Sequence, residues 1–215
     1  MNRIHTGFES GSDNVLRLIN KGLTQEQQID GGCKAKKAGF ELSVYFMPGI
    51  GGQEYSEENA VETAKVVNEI NPDFVRLRTF VLKKDSEMYP MQLDGEFTSC
   101  TDKGKLQEIR NLIDGIEMPD VYVVSDHIVN LIGSLSGRIG TDKSNMLQSA
   151  DSVLRLPEME FRVYQLARRY GYIENLSQLP SVPDARRIHF YRKAAEYTDA
   201  DMWEEHITDV LRQYV

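Results

Sequence analysis

Apolar positions along the chain follow two periods. Residues 3–8 (Arg-Ile-His-Thr-Gly-Phe), 41–47 (Glu-Leu-Ser-Val-Tyr-Phe-Met) and 73–81 (Asp-Phe-Val-Arg-Leu-Arg-Thr-Phe-Val) have the length and aromatic, β-branched content of strands. Between them the spacing turns helical. Ser12 or Asp13 is placed to cap a helix whose apolar positions are Val15, Leu16 and Ile19, with Gly22 closing it. Thr24 opens another through Glu26 and Gln27, close to a capping box, with Ile29, Cys33 and Ala38 inward. The Gly31-Gly32 pair costs that helix about 1 kcal/mol per glycine, and Gly39 ends it. Ser56 is the expected cap of a third helix, in which Ala60, Ala64, Val67 and Ile70 keep 3–4 spacing until Asn71-Pro72 stops it. The order βαβαβ predicts parallel strands with right-handed crossovers, in a barrel or an open sheet.

Beyond this, a loop from about Leu82 to Cys100 leads to a helix near 101–115, and Val121-Tyr122-Val123-Val124 is a candidate fourth strand. From about Asp126 the pattern changes. Residues 127–215 read as helical with no strand signal: 142–154, 157–170, 183–197 and 199–214, with Pro157 and Pro183 at first turns. The division is therefore an α/β part, 1–126, and a helical C-terminal extension, 127–215, without repeats or low-complexity tracts.

Composition removes several classes of function. With 215 residues, 40% hydrophobic and 27% charged, the chain can bury a real core and is not disordered. A net charge of −8 repels phosphate backbones, and the basic residues (Lys34, Lys36, Lys37, Arg168, Arg169, Arg186, Arg187) form no patch, so nucleic acid is an unlikely partner. No apolar run approaches the ~20 residues that span a bilayer, and the N-terminus has no secretory core. Two cysteines, Cys33 and Cys100, make no disulfide framework; the expectation is a reduced, cytoplasmic protein.

In parallel α/β folds the loops after strand C-termini carry the chemistry, which singles out three corners. In Gly7-Phe8-Glu9-Ser10-Gly11-Ser12-Asp13, Glu9 can accept hydrogen bonds from a diol and Ser10 and Ser12 add donors; equally, these residues can do no more than make the turn and cap the helix. In Pro48-Gly49-Ile50-Gly51-Gly52 the glycines would let a flat ligand approach the backbone, or simply turn it; no Gly-Lys-Ser/Thr follows, so this is not a phosphate-binding Walker loop. In 73–81, Arg76 and Arg78 share a face by alternation, which is costly in a buried strand unless they meet anions and harmless in an edge strand with a solvated face. Lys21 reads as an exposed lysine, His5 as a core histidine, and His127, His189 and His206 lack metal-like spacing. Cys33 reads as core and Cys100 as incidental in a polar loop.

Taken together, the corners resemble a known family. Residues 7–24, Gly7-Phe8-Glu9-Ser10-Gly11-Ser12-Asp13-Asn14-Val15-Leu16 through Asn20-Lys21-Gly22-Leu23-Thr24, resemble the fourth-strand region of radical S-adenosylmethionine (SAM) enzymes, in the broad group of Fe–S oxidoreductases akin to methylthiotransferases and the oxygen-independent coproporphyrinogen oxidase. Val44 to Gly52 with Ser56-Glu57-Glu58 is similar to that family's fifth strand and loop, and Asn71 to Arg78 to its sixth. The segment Ser125-Asp126-His127-Ile128-Val129-Asn130-Leu131 is similar to an extension of uncharacterised members. The resemblance spans about residues 4–90.

The resemblance implies a partial (β/α) radical-SAM-type barrel followed by helices. It implies that Glu9 binds the ribose hydroxyls of SAM, that Lys21 faces the methionyl carboxylate, that Tyr45 and the 47–51 loop (Met47, Gly49, Ile50, Gly51) lie against adenine, and that strand 73–79 with Arg76 and Arg78 backs it. The family's chemistry is reduction of SAM at a [4Fe-4S] cluster, giving a 5′-deoxyadenosyl radical that abstracts hydrogen from a substrate. The family's Cys-x3-Cys-x2-Cys loop and first three strands have no counterpart here. The expectation is therefore the distal part of a radical SAM oxidoreductase acting on a small molecule, with SAM and cluster bound by the full-length protein, and with no cofactor, catalytic residue or metal ligand in this chain alone. A half-barrel would expose an edge at residues 3–8 and invite a homodimer. The competing readings are a non-catalytic α/β module binding a nucleotide or a partner, and a small hydrolase or transferase, for which Gly-x-Ser-x-Gly and a cysteine–histidine pair are missing.

Overall fold

The computed structural model describes residues 3–133 and 135–214. Strand β1 (Arg3–Glu9) is followed by α1 (Asp13–Leu18), capped by Ser12, whose hydroxyl accepts from the Val15 N–H at 3.2 Å. Thr24 and Gln27 form a complete capping box at the start of α2 (Gln25–Lys37). Gly32 faces Ile70 so closely that a Cβ would come within 2.6 Å of it, which gives one of the paired glycines a packing reason; Gly31 faces open space. The inward set of α2 differs from expectation. Gln28 and Gly32 are buried, Ile29 and Cys33 are half-buried, and Ala38 is exposed because the helix ends at Lys37 and Ala38 lies past its last turn.

Strand β2 (Glu41–Phe46) leads to α3 (Ser56–Ile70), in which Ala60, Ala64, Val67 and Ile70 are all buried. Ser56 does not cap it. Tyr55 holds that position, and the Ser56 hydroxyl donates at 2.8 Å to the buried Glu108 carboxylate, a stronger acceptor than backbone groups offer. Strand β3 (Phe74–Leu77) is shorter than 73–81, because its β2 partner ends in register at Phe46 and Pro48 has no N–H to continue the ladder. The loop expected at 82–100 contains a short helix, α4 (Met88–Leu93), before α5 (Asp102–Gly115).

Strand β4 (Tyr122–Val124) is the anticipated fourth strand, but the tail is not strandless. Gly137–Arg138, β5, pairs antiparallel with β4. Two residues, one a glycine, are too few to leave a period in the sequence. The tail is otherwise helical: α6 (Ile139–Leu154), α7 (Glu158–Arg169), α8 (Asp184–Ala195) and α9 (Ala200–Leu211), with a 3-10 segment at Leu176–Ser181.

The sheet order is β1-β2-β3-β4-β5, parallel except at β5, and it is open rather than closed into a barrel. Leu42, Val44, Phe46, Val75, Leu77 and Val123 point into one buried cluster that runs on through Leu106, Leu112, Tyr164 and Trp203. The alternate positions His5, Tyr45, Phe74, Arg76 and Tyr122 stay exposed or half-exposed. The strands thus have an apolar helix-covered face and a polar, aromatic open face. No helix among the described residues is long and apolar enough to cross a membrane.

Candidate binding cleft at the carboxyl ends of the strands

Glu9 terminates β1 with φ +63°, in the left-handed region, and the β1–β2 register shifts between Gly7 and Glu9. A glutamate there is strained by roughly 1–2 kcal/mol. The surroundings hold it: its C=O accepts from the Met47 N–H at 2.8 Å and its carboxylate pairs with Lys21 Nζ at 3.2 Å. Gly7 makes room for that carboxylate, since a Cβ at Gly7 would come within 2.1 Å of Glu9 Oε1.

Glu9 borders a cleft of about 460 Å³. Tyr45 and Met47 from the end of β2 form one wall, Arg78, Thr79, Phe80 and Val81 beyond β3 another, and Lys83 and His127 the rim. Arg78 lies over the Tyr45 ring at 5.1 Å, a cation–π contact. Arg76 and Arg78 do meet an anion, and it is Asp126, whose two carboxylate oxygens accept from one arginine each at 2.7 Å. Burial pushes the Asp126 carboxyl up, and the hydrogen bond from Arg78 with the charges of Arg78 and Arg76 outweighs that, so it stays below its ordinary range. β3 is a central strand, so the edge-strand explanation of the arginines fails; the open sheet face solvates them.

His127 follows Asp126 into the cleft. Burial, then the charge of Arg78, lowers its pKa, so the imidazole is neutral near pH 7, and its buried Nδ1 has no partner among the described residues. This loop is fixed to β3 by Asn130, whose Oδ1 accepts from the Thr79 N–H and hydroxyl at 3.2 and 2.8 Å and whose amide donates to Leu77 O at 3.1 Å.

The glycine loop is held from behind. The Gly49 N–H donates to Glu108 Oε1 at 3.0 Å, and Asn59 Nδ2 donates to the same oxygen at 2.6 Å. Burial raises the Glu108 carboxyl to about 7 against these bonds. Gly49 has φ +86° and lies on Lys105, where a Cβ would meet the side chain at 2.9 Å; Gly51 lies on Val15 and Tyr55; Ile50 is buried.

Of the residues singled out from the sequence, Glu9, Tyr45, Met47 and Arg78 line the cleft together. Lys21 and Arg76 are one contact behind it, on Glu9 and Asp126. Gly49, Ile50 and Gly51 pack into the protein. Ser10 and Ser12 are buried in the turn, where the Ser10 hydroxyl accepts from the Ser12 N–H and Ser12 donates to Glu58. Sequence reasoning missed Glu108, Asp126 and His127. The last two directly follow a predicted strand, and the rule that ligands sit beyond strand C-termini would have nominated them; Glu108, mid-helix, gives no such signal.

The cysteines do not form a cluster site. Burial, then Glu108, pushes the Cys100 thiol up to about 11, so it stays protonated, and Cys33 lies on α2 with its thiol toward Glu69 O. Two cysteines cannot supply the three thiolates that a [4Fe-4S] cluster of this kind takes. Among the described residues no three of His, Cys, Asp and Glu gather as a metal site.

The sheet and its helices define a mixed α/β protein with a cleft at the carboxyl ends of its parallel strands. No protein-family model matches the chain. Over 108 residues, half of the chain, it is 24% identical to the tRNA uridine(34) acetyltransferase of Methanocaldococcus infernus, of which it spans about a fifth. The structure of archaeal Methanocaldococcus infernus Elp3 with its N-terminus deleted superposes on 58% of the chain and 29% of its own, with a TM-score of 0.50 and 24% identity, a likeness of fold. The chain is thus weakly homologous over half its length to a much longer archaeal protein and shares part of the fold of Elp3.

Proposed function

We propose that this chain is the SAM-binding distal part of a radical SAM oxidoreductase. The observation that carries the reading is Glu9: a strained glutamate at a strand's carboxyl end, given room by Gly7 and lining the cleft beyond the strands. Strain of this kind persists where function retains it. The homology to Elp3 over half the chain supports the same assignment.

In this reading Glu9 accepts hydrogen bonds from a ribose diol, Tyr45 and Met47 give an apolar surface to a flat base, and Lys21, already beside Glu9, offers its ammonium to a carboxylate. Glu108 keeps the 48–52 loop in place, and Asp126 keeps Arg76 and Arg78 aligned. Radical chemistry requires the cluster, for which this chain lacks thiolates, and so belongs to a longer protein; no step of it is assigned to residues here. The donor set also favours a second reading, a non-catalytic module that uses the same cleft to bind a nucleotide.

The test is the genomic reading frame upstream of residue 1, then anaerobic reconstitution of the whole product. An in-frame Cys-x3-Cys-x2-Cys and formation of 5′-deoxyadenosine, reduced at least tenfold by Glu9→Ala, is the expected result. A frame closed just upstream, or cleavage indifferent to Glu9→Ala, overturns the assignment.

A further inference from the structure

Beside the cleft lies a second cavity, of about 370 Å³, between the 125–133 loop and the C-terminal turn of α7. Arg168 lines it. Its neighbour Arg169 is paired with Asp102 at 2.7 Å, but Arg168 makes no ion pair among the described residues, although only 8% of it is exposed. It donates one long hydrogen bond, Nη2 to Ile128 O at 3.3 Å, and its Nε is buried without a partner among the described residues. Burying a guanidinium unpaired is expensive, and a fold normally supplies a carboxylate. Burial, then the adjacent Arg169, depresses the Arg168 pKa, and the more distant charge of Glu174 offsets this only in part.

Space and charge are arranged to suit a counter-ion. Gly133 faces the guanidinium, where a Cβ would come within 3.0 Å of Nη2, so its lack of a side chain keeps the approach open. His127 lines both this cavity and the cleft, so an occupant here sits next to whatever the cleft holds. Two acids line the cavity with Arg168: Asp126 is already taken by Arg76 and Arg78, and Glu174 sits on the exposed rim without an ion pair among the described residues.

We propose that this cavity is an oxyanion-binding site, in which the Arg168 guanidinium receives the carboxylate or phosphate group of a small molecule that extends toward the cleft past His127. A planar fork of N–H donors suits two oxygens of one such group. The inference goes beyond SAM binding and stands without it, since none of its residues is assigned to the nucleoside.

The experiment is a titration of the 215-residue chain, labelled with 15N-arginine, with sodium phosphate and separately with sodium acetate, at ionic strength held constant with chloride. The Arg168 Nε–Hε resonance, assigned by its loss in Arg168→Lys, is expected to shift and saturate. Saturation with phosphate alone identifies a phosphate ester as the ligand chemistry, and with acetate alone a carboxylate. Titrated by isothermal calorimetry beside the unsubstituted chain, Arg168→Gln should weaken that binding at least tenfold while leaving the Tm of the free protein unchanged or higher. Should Arg168→Gln not fold, Gly133→Ala, which places a methyl against Nη2, is expected to weaken binding severalfold with the Arg168 signal retained. No saturable shift with either anion, or equal binding by the folded variants, overturns the proposal.

Discussion

Two aspartates in this molecule each hold arginine at 2.7 Å, and they do different things. Asp102 meets Arg169 with side chains 2% and 1% exposed, tying α5 to α7, and Gln165 links the pair on to Trp203 Nε1 in α9. Asp126 meets Arg76 and Arg78 with its own side chain 49% exposed, at the rim of the cleft. The distances are equal, so the environment makes the difference. Out of water, breaking the first pair strands a charge; at the rim, water replaces either partner of the second. The first is cement between helices, and the second is a cationic pair kept in order beside a cavity.

The largest effect that would break this contrast is on Asp102. Asp102→Ala should destabilise the chain by about 4 kcal/mol, since Arg169 then remains buried and unpaired; urea unfolding yielding less than about 1 kcal/mol would put the two sites on one footing.

Glu108 shows a buried carboxylate without an arginine. Its folded pKa, about 7, lies above the unfolded value, so it contributes stability below about pH 4.5 that is lost as pH rises to about 7, on the order of 3 kcal/mol at most. Glu204, also raised to about 7 by burial and then by Asp102, acts in the same window. Asp102 has the opposite sign: burial pushes it up, but the charges of Arg169 and Lys105 win, so its contribution is present above about pH 3.8 and lost in acid. Stability measured from pH 4.5 to 8 should therefore fall, and Glu108→Gln should flatten part of the slope; an unchanged slope would show that Glu108 does not titrate there.

A smaller effect separates strain from packing. Glu9→Gly should raise stability by about 1 kcal/mol, because glycine takes φ +63° freely, while removing the carboxylate from the cleft; a loss of stability would mean that the Lys21 pair outweighs the strain. The smallest change belongs to the exposed pair. Asp126→Asn should alter stability by less than about 1 kcal/mol, yet free Arg76 and Arg78 to move, which appears as altered affinity for anions at the cleft rather than as a shifted Tm.

Much of this was legible in the amino-acid order. Thr24 with Gln27, Ser12 ahead of Val15, the Ala60–Ile70 stripe and the alternation that puts Arg76 and Arg78 on one face depend on neighbours within one or two turns, and the structure repeats them. The corner at Glu9 was legible for the same reason, since a strand followed directly by a capped helix puts that residue at the ligand end of the sheet.

What the sequence could not convey is which distant groups meet. Arg76 and Arg78 advertise a need for an anion, but that Asp126, some fifty positions on, supplies it depends on β4 lying beside β3. Ser56 looks like a cap until α5 brings Glu108 to it, and Gly49 looks like a ligand loop until the same carboxylate takes its N–H. β5 exists because the tail returns to the sheet. The sequence by itself determined the local elements, their order and the end of the sheet at which the cleft lies, because these follow from short-range periodicity and capping. Tertiary structure alone decided which charges are paired and which, like Arg168, are left facing a cavity, because pairing is set by burial and by contacts between residues far apart along the chain.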